Sequence, residues 1–192
     1  HVETVPVMTD DRICFFTDTG SMYQVKAADV PAGKLKDKGV PLDNISRFEG
    51  AKERILLTMP ASELPGKKLL FATRAAMLKI VPGGEFLTAN RMVAATKLSE
   101  GDQAAEIRIL SGETEIVLQT KEGMFLRFMI NEIPELKKNS RGVRGMKLED
   151  GDSLEHVYFP ENEPLAVYKE KEVHLNRLKM AKRDGKGTKT RV

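Results

Sequence analysis

The chain is built on copies of itself. Residues 13–31, ICFFTDTGSMYQVKAADVP, align without a gap on residues 116–134, IVLQTKEGMFLRFMINEIP, placing Thr17 on Thr120, Gly20 on Gly123 and Pro31 on Pro134. In the same register Gly39-Val40 falls on Gly142-Val143. Residues 97–109, KLSEGDQAAEIRI, match residues 147–159, KLEDGDSLEHVYF, and residues 69–80, LLFATRAAMLKI, read as a shortened hairpin with Ala75-Ala76 where the other copies have Gly. A fourth copy begins at LAVYKEKEVHLNRLK, residues 165–179. From Thr17 to Thr73, Thr120 and Lys169 the spacings are 56, 47 and 49 residues. A period of this size marks an array of small units, each of which closes its core only against its neighbours.

The third copy shows what one unit is. Ile116 to Leu118 lead into Lys121-Glu122-Gly123, and Met124 to Phe128 return as a second apolar run, the pattern of a β-hairpin whose glycine supplies a positive φ. After Pro134 comes a basic, glycine-bearing loop at residues 137–145. A short strand is predicted at Met146 to Leu148, then a turn at Glu149-Asp150-Gly151-Asp152 and a last strand from Leu154 to Phe159. Four short strands in 45 residues make a small antiparallel sheet, and no stretch carries a clean helical stripe. The fold class is therefore all-β: a propeller-like array of about four four-stranded blades, the first and last incomplete. The units run over about 1–59, 69–110, 115–159 and 165–192 of a single domain. Val2 to Met8 read as a leftover strand, so the 192 residues are expected to be a fragment of a longer chain.

Several functions are disfavoured. Tryptophan is absent and aromatics make up 6% of the chain, so no base-stacking platform for single strands is advertised. The lone Cys14 lies in an apolar strand and reads as a buried thiol in a reducing, cytoplasmic setting. No apolar run approaches the roughly 18 residues of a membrane helix, so no membrane partner is expected. His1, His156 and His174 have no ligands at metal-binding spacing. The DGD and EGD segments lack the remaining ligands of a calcium loop and read as turns, while GKGT at residues 185–188 fails the P-loop spacing. No catalytic constellation emerges and no cofactor is expected.

Charge carries the functional signal. The formal net is only +3, but residues 169–192 hold nine Lys/Arg against three Asp/Glu, and residues 137–148 hold five basic side chains and no acid. The cations recur at equivalent places: Lys34, Lys36 and Lys38 in the first unit, Arg91 and Lys97 in the second, and Lys137, Lys138, Arg141, Arg144 and Lys147 in the third. The fourth contributes Lys182, Arg183, Lys186, Lys189 and Arg191. Equivalent positions on successive blades share one rim, so a recurring basic loop becomes a belt. Cations beside glycines, which let backbone N–H groups approach closely, suit a phosphate backbone followed along a curve.

The segments ICFFTDTGSMYQVKAADVP with KDKGVPLDNI, and EGMFLRFMINEIP with NSRGVRGMKLEDGD, resemble the repeats of the C-terminal domain of bacterial type IIA topoisomerase A subunits, those of DNA gyrase and topoisomerase IV. The resemblance spans essentially the whole chain. It implies a β-pinwheel, a disc whose blades exchange a strand with their neighbours and whose basic rim binds and bends duplex DNA for the catalytic core. It also implies as partners the parent A-subunit core and the ATPase B subunit, with ATP and Mg used by those other parts, in a nucleoid-associated cytoplasmic setting. The family's catalytic tyrosine lies in an upstream domain, and Tyr23, Tyr158 and Tyr168 read as strand residues. The Q-R-R-G-G-R-G type box of the gyrase members, whose usual place is ahead of the strand in which residue 1 falls, does not occur within these 192 residues. Its nearest approach here is Lys182-Arg183-Asp184-Gly185-Lys186-Gly187 in the last unit, so the resemblance leaves gyrase and topoisomerase IV both open. The alternative to a DNA-binding rim is a propeller that docks a protein, its cations serving only solubility.

Overall fold

The computed structural model describes residues 11–30, 40–42 and 52–190, and the predicted strand at residues 2–8 lies outside them. Among the described residues the regular elements are strands and short 3-10 turns. In chain order the strands are β1 (Arg12–Thr17), β2 (Ser21–Lys26), β3 (Ile55–Pro60), β4 (Lys68–Thr73), β5 (Met77–Pro82), β6 (Met92–Ala94) and β7 (Ala104–Leu110). There follow β8 (Glu115–Thr120), β9 (Met124–Met129), β10 (Val143–Arg144), β11 (Leu154–Tyr158), β12 (Leu165–Tyr168), β13 (Lys171–His174) and β14 (Thr188–Lys189).

Each unit begins with an antiparallel hairpin: β1 with β2, β4 with β5, β8 with β9, and β12 with β13. The loops turn where the sequence placed them. Gly20 and Gly123 adopt φ of +78° and +86°, and Ala76, the residue in the second loop that replaces glycine, takes the same left-handed conformation at +65°. The acidic turns then fold over these tips. The Asp102 side chain accepts from the Ala75 amide at 3.0 Å, and Asp152 does the same for Glu122 at 3.0 Å, so these carboxylates brace hairpins.

The sheets do not close within their own units. Their strand orders are β3-β1-β2-β6, β10-β5-β4-β7 and β11-β8-β9-β14, with the two-stranded β12-β13 last. In the first three, the strand that pairs with the second hairpin strand comes from the basic loop of the following unit. The short strand predicted at residues 146–148 is instead β10, which begins three residues earlier, and it pairs with β5 of the second unit rather than with its own hairpin. Blade-to-blade strand exchange, which the family resemblance implied, replaces the self-contained sheet that local pattern suggested.

Stacking of blades explains why the hairpin strands are apolar on both faces. Ile13, Cys14, Phe15 and Phe16 are all buried, because one face of β1 packs within its own blade and the other against the next. A cluster holding Phe16, Phe71 and Phe86 joins the first blade to the second, and Phe16 meets Phe86 edge-on at 5.2 Å. Leu78, Leu118, Phe128 and Phe159 join the second to the third, and Val117, Phe125 and Tyr168 the third to the fourth. Each fully buried Leu, Ile or Phe contributes roughly 1.5–3 kcal/mol, so the blade interfaces are where the array is held together. Cys14 lies in this packing, and burial pushes its thiol up to about 12.

Candidate nucleic-acid interface

The outermost strands of the first three sheets, β6, β10 and β14, are the exchanged ones, and the cations cluster around them. Register fixes the equivalences. Val93 pairs with Met22, Val143 with Leu78 and Thr188 with Phe125. Two residues before each stand Arg91, Arg141 and Lys186, and one residue after stand Ala94, Arg144 and Lys189. The side chains of Arg91, Lys97, Lys137, Arg141, Lys147, Lys182, Lys186 and Lys189 are exposed. Lys36 and Lys38, with Lys34 and Arg191, lie outside the described residues.

Glycine is required where β10 and β14 enter, whereas Met92 stands at the equivalent place before Val93 of β6. Gly142 has φ +89°, and a Cβ there would lie 2.4 Å from the Leu78 carbonyl oxygen. Gly187, its counterpart, has φ +78°, and its Cβ would lie 2.6 Å from the Phe125 oxygen. Only a residue without a side chain lets the basic loop lie this close against the preceding blade.

Two further devices grip the loops, the first in all three and the second in those of units three and four. A side chain on the second hairpin strand donates to loop carbonyls of the next unit. Gln24 Nε2 reaches the oxygens of Thr88 and Asn90 at 2.6 and 2.7 Å, and Arg127 reaches those of Asn176 and Leu178 at 3.0 and 2.9 Å. Lys79 reaches three, those of Lys137, Lys138 and Ser140, at 3.1, 2.9 and 2.5 Å. A carboxylate on the 3-10 turn then accepts from a loop amide: Glu85 from Lys138 and Glu132 from Arg183, both at 3.0 Å. The cations are thus mounted on a braced backbone.

Successive loops also touch. The Ser140 carbonyl of the third unit accepts from the Lys97 amide of the second at 3.3 Å and from Thr96 Oγ1 at 3.4 Å. Further on, Lys147 donates its amide to Gly185 and Asp184 donates to Gly145, each at 2.8 Å. The loops of units two, three and four therefore form one continuous hydrogen-bonded belt carrying the exposed cations.

Some basic residues of the belt are engaged within it. Arg144 makes a two-pronged ion pair with Asp184 of the next loop, Nε to Oδ1 at 2.5 Å and Nη2 to Oδ2 at 3.0 Å. The hydrogen bond from Arg144 holds the Asp184 carboxyl below its ordinary range. Arg183 is half-buried and donates Nη1 to the Arg144 carbonyl at 2.8 Å, so it ties loops together. Lys138 is also half-buried. A cleft of about 370 Å³ beside the last loop is lined by Leu126, Arg127, Lys182, Arg183 and Lys186 among others. Sequence reading singled out the cations but not their supports. Gln24, Lys79 and Arg127 had one visible signal, a long polar side chain inside an otherwise apolar strand. Glu85, Glu132 and Asp184 had none.

Comparison with known proteins agrees with this geometry. The family model for the DNA gyrase C-terminal domain, beta-propeller, matches residues 11–47, 67–111 and 114–160. The DNA gyrase A subunit of Staphylococcus aureus strain MRSA252 is 29% identical over 98% of this chain, and the chain spans 22% of that relative's length. Its counterpart in strain NCTC 8325 is 28% identical over the same share. A crystal structure of the C-terminal domain of DNA topoisomerase IV shares the fold at TM-score 0.74, with 23% identity, over 94% of this chain and 58% of that one. The DNA gyrase A C-terminal domain does so at 0.69, with 22% identity, over 95% and 60%. With most of its length matched by the family model and its blades joined by exchanged strands, this chain belongs to the DNA gyrase C-terminal beta-propeller family.

Proposed function

We propose that the belt binds duplex DNA through its phosphates and bends it along the rim, presenting the curved segment to the catalytic core of a type IIA topoisomerase A subunit. The observation that carries this reading is the continuity of the belt: three loops, hydrogen-bonded end to end, each with exposed cations in register. Curving 20–30 base pairs costs roughly 1–6 kcal/mol, so contacts must act together on a rigid frame, which the exchanged strands and their grips provide. The cations positioned for phosphate are Arg91, Lys97, Lys137, Arg141, Lys147, Lys182, Lys186 and Lys189. Arg144 and Arg183 serve mainly to hold the loops, and the half-buried Lys138 is itself held through its backbone by Lys79 and Glu85. Lys36 and Lys38 extend the set by repeat position alone.

The partners in this reading are duplex DNA, the parent A-subunit core and, through it, the ATPase B subunit, in the cytoplasm. In the same reading ATP and Mg belong to those other parts, and the chemistry on DNA belongs to the core. A gel shift with linear duplex at two salt concentrations tests it. Binding should weaken steeply with salt, by about 0.9 in log K per log salt for each phosphate contacted. The triple variant of Arg141, Arg144 and Lys147 to Ala should weaken binding to every sequence and flatten that slope. Unchanged affinity and slope would remove this loop from the interface, and salt-insensitive or absent binding would favour a protein-docking propeller.

A further inference from the structure

Lys79 is 1% exposed in the middle of β5, its ammonium 5.6 Å from the centre of the Phe71 ring. It pairs with Phe71 across the hairpin as Tyr23 pairs with Phe15 and Leu126 with Leu118, so the same position is filled by a phenol and by a leucine in the neighbouring blades. Burying an ammonium where leucine fits is costly. Burial accordingly pushes Lys79 down to about 8, against a smaller upward pull from Glu85. A charge at such a position calls for a role beyond filling the core.

The role is visible in what the ammonium touches. Its donors converge on the carbonyls of Lys137, Lys138 and Ser140, with Ser140 Oγ at 3.4 Å, all in the turn immediately before Arg141, Gly142 and β10. That turn also closes on itself, Ser140 Oγ donating to the Lys137 carbonyl at 2.7 Å. Ser140 is in addition the junction with the second unit's loop, through the amide of Lys97. Three carbonyls meeting at one point suit the three divergent donors of an ammonium, which neither the planar amide of Gln24 nor the guanidinium of Arg127 supplies.

Resting on the DNA-binding reading above, we infer that Lys79 is a positioning residue for the interface: without touching DNA, it fixes the third unit's basic loop, and the junction with the second, in the arrangement that duplex binding uses.

The test compares the wild-type chain with Lys79→Met and Lys79→Gln by three readouts: amide hydrogen exchange, thermal midpoint, and affinity for a 30-base-pair duplex across salt. In Lys79→Met the amides of residues 138–144 should exchange at least about tenfold faster, while those of β4 and β8 hold. Its affinity at 0.1 M salt should fall by about 10- to 100-fold, and the log–log slope should become shallower by up to about 2, the share of Lys137 and Arg141. Lys79→Gln, able to hold two carbonyls as Gln24 does, should recover much of the loss. Unchanged exchange at residues 138–144 in Lys79→Met would overturn the inference, as would a loosened loop with wild-type affinity and slope. So would a fall in thermal midpoint with faster exchange across β4 and β8, which would make Lys79 a general stabiliser. A wild-type chain with no affinity for the duplex would instead sink the DNA-binding reading, and this assignment with it.

Discussion

Replacing Gly142 by alanine separates strand exchange from ordinary turn geometry, because Gly151 provides a matched control. Both glycines have positive φ, +89° and +79°. An alanine at either position takes on the left-handed penalty, about 1–2 kcal/mol. At Gly151 nothing lies within 4 Å of the added Cβ, so that penalty is the whole effect. At Gly142 the Cβ would stand 2.4 Å from the Leu78 oxygen and 2.9 Å from its carbon, and these are backbone atoms of a central strand that no rotamer change can move aside. The loop must retreat, giving up the pairing of Val143 with Leu78 and straining the hold of Lys79. Losses of this kind place Gly142→Ala at about 3 kcal/mol or more. Urea denaturation gives the totals, and amide exchange gives the location: Gly142→Ala should expose the outer edge of β5, and Gly151→Ala should not. Equal destabilisation by the two variants, with β5 still protected, would refute the close docking of the exchanged strand.

Further outcomes follow from the same geometry. Arg141→Ala should shallow the salt dependence of duplex binding by about 0.9. Arg144→Ala should change it less, because Arg144 is already paired with Asp184, and Asp184→Asn should raise affinity; competition binding across salt checks all three. The proton on Lys79, lost at about 8 in the folded chain against an ordinary 10.5, is bound less tightly by the folded state, so the burial cost of the ammonium is fully present below pH 8. That cost fades as pH rises from about 8 to 10.5, so wild type should gain up to about 3 kcal/mol relative to Lys79→Gln over that window, read from urea midpoints at both ends. The Cys14 thiol, 0% exposed, should resist alkylation in the native chain at neutral pH and react at the rate of a free thiol in denaturant.

The hairpins were legible because their signals are local. Apolar runs flank a glycine at fixed spacing, and three of the four loops turn as that spacing requires, with Ala76 tolerating the conformation glycine would take freely. The exchanged strands were not legible residue by residue, since β10 is two residues long and its partner Leu78 lies 65 positions upstream. Pattern reading placed a strand at residues 146–148, where Met146 is indeed buried. That burial comes from packing in the cluster that joins the second and third blades and from a bridge to Gly185, not from a sheet within the unit. The cations were legible as a recurring charge. Their partners were not: residues 137–148 look uniformly basic until Asp184, forty residues on, folds back onto Arg144. Lys79 was hidden for a related reason, sitting in an apolar run whose mean character outweighed its one charge.

Whether the belt holds a duplex in a curve is read from the end-to-end distance of a duplex of about 40 base pairs carrying a donor and an acceptor dye, titrated with the chain at low and high salt. The expected result is a shortening of that distance at low salt that is reversed by salt, and a smaller shortening with the Arg141, Arg144 and Lys147 triple variant. A duplex that binds yet stays straight, or one that shortens equally with the triple variant, would contradict bending by the belt.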